Sequence, residues 1–300
     1  MSDVRLSEID HAGLVFTVAD EGPPAADIVL LLHGFPERST CWRNVTPPLH
    51  EAGFRTIAVD QRGYSPGARP RRRCDYTLKN LVADAAAVID ALGRPVHLVG
   101  HDWGAVVAWN LAASSPQHVR TLTAVSIPHP RAYLRSLLTS RQILKSWYIA
   151  LFQLPYLPEL LMQRQWMLRH FGMTATAIER FRTEIVDDGA LPGALMWYRA
   201  MPFANIRHAL EKVSVPTTLV WSDRDVAITR TPVAGTHRYV DAPYELVTLH
   251  DVSHWIPIEA PDALALAIAH RAQTPQPGSP STPMTRSGAP TPKYQHTQGN

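Results

Sequence analysis

Apolar residues fall along this chain in short solid runs, separated by stretches in which they recur at helical spacing. Ile28–Leu32 is apolar throughout and stops at His33-Gly34. Such a run reads as a strand buried on both faces. Arg55–Val59, which ends at Asp60, is a second such run, and residues 96–99, 122–127, 217–221 and 245–249 read as further strands. Near the start, residues 4–9 and 14–19 alternate and predict an antiparallel pair ending by Gly22-Pro23. Between these runs, Leu78, Leu81, Val82, Ala85, Val88, Ile89 and Leu92 share one helical stripe, with Thr77 as its cap and Gly93 as its stop. Residues 105–113 and 263–269 predict two more helices. Eight strands alternating with helices predict an α/β fold with a mostly parallel sheet covered on both faces.

The alternation fails between 130 and 204, where helices rich in Leu, Trp, Tyr, Phe, Arg and Met are expected. This insertion should lie over the carboxyl edge of the sheet, where ligands bind in open α/β folds. The division that follows is a core of 1–129 and 205–271, a helical cap of 130–204 and a tail of 272–300. Six prolines and almost no large apolar side chain mark the tail. It cannot bury enough surface to offset its ordering entropy and is expected to be disordered.

Composition narrows the classes. The 300 residues are 45% hydrophobic, enough for one large core or a core with a subdomain. A formal charge of +3, from 29 basic and 26 acidic side chains, is too small to call for nucleic acid or an acidic membrane. The dense basic run of Arg69 and Arg71 to Arg73 reads as a solvated loop. Cys41 and Cys74 imply no disulfide framework and fit a reducing, cytoplasmic setting. The first residues lack the apolar run of a secretory signal, and no stretch reaches the roughly 18 apolar residues of a membrane span. The histidines make no His-x-x-x-His helix pair with a carboxylate, so no metal is expected, and no cofactor either.

The chemistry concentrates at Gly100-His101-Asp102-Trp103-Gly104, which follows a predicted strand and opens a helix. Gly-x-Asp-x-Gly in that setting is a nucleophile elbow with a carboxylate at its tip. A carboxylate attacks saturated carbon and leaves an alkyl ester, which directs the reading to epoxides or alkyl halides. Cleaving that ester needs a base and a group that orients it. His254, after the last strand, is the base expected. Asp225 is the favoured acid, with Asp223 in the same loop as the alternative. The order Asp102, Asp225, His254 is the nucleophile–acid–base order of this architecture. The backbone N–H groups of Phe35, in His33-Gly34-Phe35-Pro36, and of Trp103 are the expected oxyanion donors.

Three segments, His33-Gly34-Phe35-Pro36-Glu37, Asp60-Gln61-Arg62-Gly63-Tyr64-Ser65-Pro66 and the elbow, together resemble the α/β-hydrolase-fold epoxide hydrolases over about residues 4 to 271. The resemblance implies two cap tyrosines that hydrogen-bond the epoxide oxygen and protonate it as the ring opens. Tyr148, in Trp147-Tyr148-Ile149-Ala150-Leu151-Phe152, and Tyr198, in Met196-Trp197-Tyr198-Arg199, stand where those motifs place them. Phe35, Trp103, Trp147, Phe152 and Trp197 are expected to line the substrate cleft. The partners implied are a small apolar epoxide and water.

Two rival readings have different requirements. A haloalkane dehalogenase shares the Asp nucleophile but needs side-chain N–H donors for halide; Trp103 can supply one, but Phe35 stands where an Asn often supplies the second. A non-catalytic binding protein on the same fold has no need to keep Asp102, Asp225 and His254 together.

Overall fold

The computed structural model describes residues 5–204, 207 and 210–274. The start of the first predicted strand, the expected core boundary at 205 and nearly all of the proline-rich tail lie outside them.

Eight strands form one sheet: β1 (Glu8–His11), β2 (Leu14–Glu21), β3 (Ile28–Leu32), β4 (Arg55–Val59), β5 (Val96–His101), β6 (Val119–Val125), β7 (Thr217–Ser222) and β8 (Tyr244–Leu249). Their order is β1-β2-β4-β3-β5-β6-β7-β8. β1 and β2 pair antiparallel, as do β2 and β4; every other neighbour is parallel. The 122–127 expectation is displaced, because β6 already begins at Val119, ahead of the polar pair Arg120-Thr121.

Alternation along β3 shows why its whole run is apolar. Ile28, Leu30 and Leu32 enter one core cluster, and Val29 and Leu31 enter the other. The first cluster also takes in α2 (Leu78–Leu92) and α3 (Trp103–Ser114). The second is covered by α1 (Thr46–Glu51) and, at the far end of the chain, α13 (Pro261–Gln273). With both faces covered, each fully buried aliphatic side chain contributes about 1.5–3 kcal/mol. Gly93 ends α2 in the left-handed conformation, as its position predicts. Thr77 sits at the cap of that helix but makes no side-chain capping bond.

From β6 the chain runs through the helical insertion: α4 (Pro130–Thr139), α5 (Gln142–Lys145), α6 (Trp147–Leu151), α7 (Leu157–Met162), α8 (Gln165–His170), α9 (Ala175–Phe181) and α10 (Leu191–Arg199). The core then resumes with β7, α11 (Arg230–Gly235), β8, α12 (Ile256–Glu259) and α13. The second half of the insertion is fastened to the core by polar bonds. The Trp197 indole N–H donates to the Arg62 carbonyl at 2.7 Å, Arg69 pairs with Asp188, and Glu184 meets Thr40 and Arg43. Arg69 is thus an anchor, not part of a solvated loop; Arg71, Arg72 and Arg73 are exposed as expected. At Gly63, with φ +92°, and Gly193 the two backbones touch so closely that a Cβ on either would collide with the other. The first half is held through Gln142, which is fully buried. Its amide donates to the Ala227 carbonyl and accepts from the Thr229 N–H and hydroxyl.

Candidate active site

Asp102 stands between β5 and α3 with φ +50° and ψ −120°. An L-residue held there costs of order 1–3 kcal/mol, and only a rigid surround sustains it. The surround is visible. Gly34 lies so close that a side chain there would strike the Asp102 Cβ. Freed of a Cβ, the loop after β3 turns the Phe35 N–H onto Asp102 Oδ1 at 2.8 Å. Trp103 follows as the first residue of α3, where backbone N–H groups have no intrahelical partner.

The loops after β7 and β8 bring in the other two residues. Asp225 is buried; its Oδ1 accepts from the N–H groups of Ala227 and Ile228 at 2.7 and 2.8 Å. Its Oδ2 accepts from His254 Nδ1 at 2.8 Å, and His254 Nε2 lies 3.5 Å from Asp102 Oδ2. Asp223, the alternative, instead faces the exposed His250 at 2.8 Å. The His254 backbone is pinned as well: its carbonyl accepts from Ser126 Oγ and His101 Nε2, each at 3.0 Å.

These contacts set the charges. Burial opposes ionisation of Asp102, but its hydrogen bond and opposite charge with His254 carry the carboxyl below its usual range. Burial also disfavours a charged His254, yet the Asp225 and Asp102 carboxylates outweigh it and raise the imidazole well above its ordinary value. The resting site is therefore a cation between two anions. His33 and His101, buried nearby, are driven down to about 4 by desolvation and stay neutral.

Above Asp102 lie the insertion's tyrosines. Tyr148 comes from α6 and Tyr198 from α10; with Asp102 they border both of the larger cavities of the site. Their rings meet edge to face with centroids 6.1 Å apart, and Tyr198 also packs edge-on against Trp103 and Phe35. Burial first, with Asp102's charge adding to it, raises both phenols well above 10. Both remain donors at neutral pH.

Of the expected cleft residues, Trp103 and Trp197 border one cavity, and Phe35 and Phe152 the other. Trp147 does not. It is 44% exposed on the outer side of α6, stacked on Phe171, so its assignment to the cleft is corrected. A five-residue helix that turns Tyr148 inward leaves the preceding side chain facing out.

Glu37 is a site residue that the sequence reading passed over. It is buried beneath the loop, one carboxyl oxygen has no partner, and desolvation raises it to about 7 despite the opposing charge of Arg180. Its place in His33-Gly34-Phe35-Pro36-Glu37 was the available signal. Among the described residues no cluster of side chains could hold a metal ion, and no helix is long and apolar enough to cross a membrane.

The chain matches the model of the Alpha/beta hydrolase family over residues 29–267. It is 32% identical to the AB hydrolase superfamily protein YfhM of Bacillus subtilis, over 87% of this chain and 95% of that one. It is 31% identical to human epoxide hydrolase 4, over 85% of this chain and 74% of that one. Among solved structures, a novel epoxide hydrolase from hot-environment metagenomes superposes with a TM-score of 0.77 at 27% identity, covering 89% and 98% of the two chains. Those matches span the sheet and the insertion alike, and the chain belongs to the alpha/beta hydrolase family and, within it, to the epoxide hydrolases.

Proposed function

We propose that this protein hydrolyses apolar epoxides to vicinal diols through a covalent ester on Asp102. The observation that carries the reading is a single carboxylate with two differently occupied oxygens beneath two phenols. Oδ1 is held by the Phe35 N–H, while Oδ2 faces His254 and the cavities that Tyr148 and Tyr198 border. Residues 130–204 serve as the cap of this site, over the core of 1–129 and 205–271. The two free thiols, Cys41 and Cys74, suit a reducing cytoplasm.

In the first step Tyr148 and Tyr198 hold the epoxide oxygen. Asp102 Oδ2 displaces it from a ring carbon, forming one C–O bond as the other breaks. The alkoxide takes a proton from the phenols, which are acidic enough to donate and are held protonated by burial. Esterification also removes the negative charge on Asp102, one of the two that kept His254 protonated. His254 can then give up its proton, which returns through water to the phenolate left by that transfer. In the second step neutral His254, steadied by Asp225, takes a proton from water. That water attacks the Asp102 carboxyl carbon, and the Phe35 and Trp103 N–H groups face the resulting oxyanion. The acyl C–O bond breaks, the departing alkoxide takes the proton of the regenerated Asp102 carboxyl and leaves as the diol, and the ion triplet is restored. A nucleophile deactivating its own countercharge is what lets one histidine be a cation at rest and a base when needed.

Halide chemistry is less well served. The Trp103 side-chain N–H is hydrogen-bonded to Tyr198, and Phe35, at the second donor position, offers only its backbone N–H, already on Asp102. The decisive experiment is one turnover in heavy-oxygen water with excess enzyme. Label is expected in the Asp102 carboxyl; label found only in the diol would overturn the covalent route.

A further inference from the structure

Asp102, Tyr148 and Tyr198 divide the space beneath the insertion into two unequal arms, since all three border both cavities. The long arm is a cavity of about 180 Å³ running past Val106, Ile149 and Tyr133. It reaches Leu134 and Met201, which are 38% and 40% exposed, so this arm opens to solvent. The short arm is about 40 Å³ and leads to His254. Phe152, Met162, Met173 and Trp255 close it, each of them buried.

The volumes decide what each arm can hold. An apolar cavity of roughly 150 Å³ accommodates a benzene ring, whereas a single water needs about 10–15 Å³ of such space. The long arm therefore takes a group of phenyl size. The short arm takes a water or a methyl, and the base of the second step sits in its wall.

Resting on the proposed hydrolase activity, we infer that the substrates are epoxides with one apolar substituent of phenyl size, seated in the long arm. The other ring carbon bears hydrogen or at most methyl, and the short arm is the seat of the hydrolytic water. A bulky group on both ring carbons collides with Met162 and Phe152 and displaces that water.

The test is kcat/KM of the full chain on styrene oxide, propylene oxide and trans-stilbene oxide. Stilbene oxide is expected to fall about a hundredfold below styrene oxide. Met162→Ala should narrow that gap about tenfold, with Met173→Ala as the parallel variant should the first fail to fold. Val106→Phe should cost styrene oxide about tenfold relative to propylene oxide. Equal turnover of stilbene and styrene oxides by the unmodified protein, or a gap unmoved by either methionine variant, overturns the inference. Folded protein that turns over none of the three overturns instead the hydrolase reading beneath it.

Discussion

Beneath the substrate space, position is set by directional bonds; above it, by ring packing. Asp102 and Asp225 are joined through His254, and their carboxylates accept from backbone N–H groups of the loops after β3 and β7. Tyr148 and Tyr198 are located by aromatic edges from Phe35, Trp103, Phe152 and Phe171. A charged network buried at low dielectric tolerates one geometry, and an unpaired member is costly. Packed rings fix a plane and leave the hydroxyl at its edge for a ligand, the Tyr198 hydroxyl with a hydrogen bond to the Trp103 side chain besides. The contrast matches the work proposed for each region: the lower one must hold an ion triplet between turnovers, and the upper one must offer donors to a guest that comes and goes.

The strongest way to break this comparison is to remove a member of the lower network without touching the upper. His254→Gln leaves Asp102 free to attack and removes the base. Turnover should fall by a factor on the order of 10⁴ or more, while a protein–substrate ester accumulates and is read by intact mass. A loss below tenfold, or no adduct, would show that the network is not a chemical unit.

The upper region should respond in a graded way. General acid catalysis is typically worth about 10²–10⁴-fold, and two phenols share it. Tyr148→Phe and Tyr198→Phe should each slow ester formation by about 10–100-fold, and the double variant by roughly the product. Rapid-quench measurement of ester formation separates this from the second step. If either single variant is as slow as the double, the tyrosines act as one unit and the contrast with the lower network disappears.

The same division explains what was legible in the sequence. The lower region sits at the ends of solid apolar runs, which mark buried strands whatever surrounds them, so Asp102 and His254 could be placed by counting strand ends. Asp225 and Asp223 are two residues apart in one loop, and no periodicity separates them; the hydrogen bonds from Ala227 and Ile228 do. The insertion above shows as a break in the alternation of strands and helices, but its two tyrosines were reached only through resemblance. Its helices α5 and α6 have four and five residues, too few for an apolar stripe to reveal which side faces inward. That is why Trp147 was assigned to the cleft although it faces out. Gln142 and Glu37 escaped notice for a related reason: polar residues are mostly exposed, and burial of these two depends on partners remote in sequence.

Glu37 lies at the seam between the two regions, near Arg180 of the insertion and His254 of the core, and a test there is the mildest, reading stability instead of turnover. Its folded-state carboxyl is raised to about 7, chiefly by desolvation, against an ordinary value of 4.5. Below pH 4.5 both folded and unfolded chains carry the proton, and burial has no ionic penalty. Between 4.5 and 7 the unfolded chain releases the proton while the folded chain retains it, so stability declines as pH rises. Above about 7 the loss levels off at ~3 kcal/mol as an upper figure, from 1.36 kcal/mol per pH unit of displacement. Glu37→Gln cannot ionise and should abolish that decline. The variant and the unmodified protein should have similar denaturation midpoints at pH 4.5, with the variant clearly more stable at pH 8. A gain of the unmodified protein over the variant between pH 4.5 and pH 8 would mean that the carboxyl is already ionised in the fold. The seam would then be held by a Glu37–Arg180 charge pair, and the directional bonding of the core would extend into the insertion.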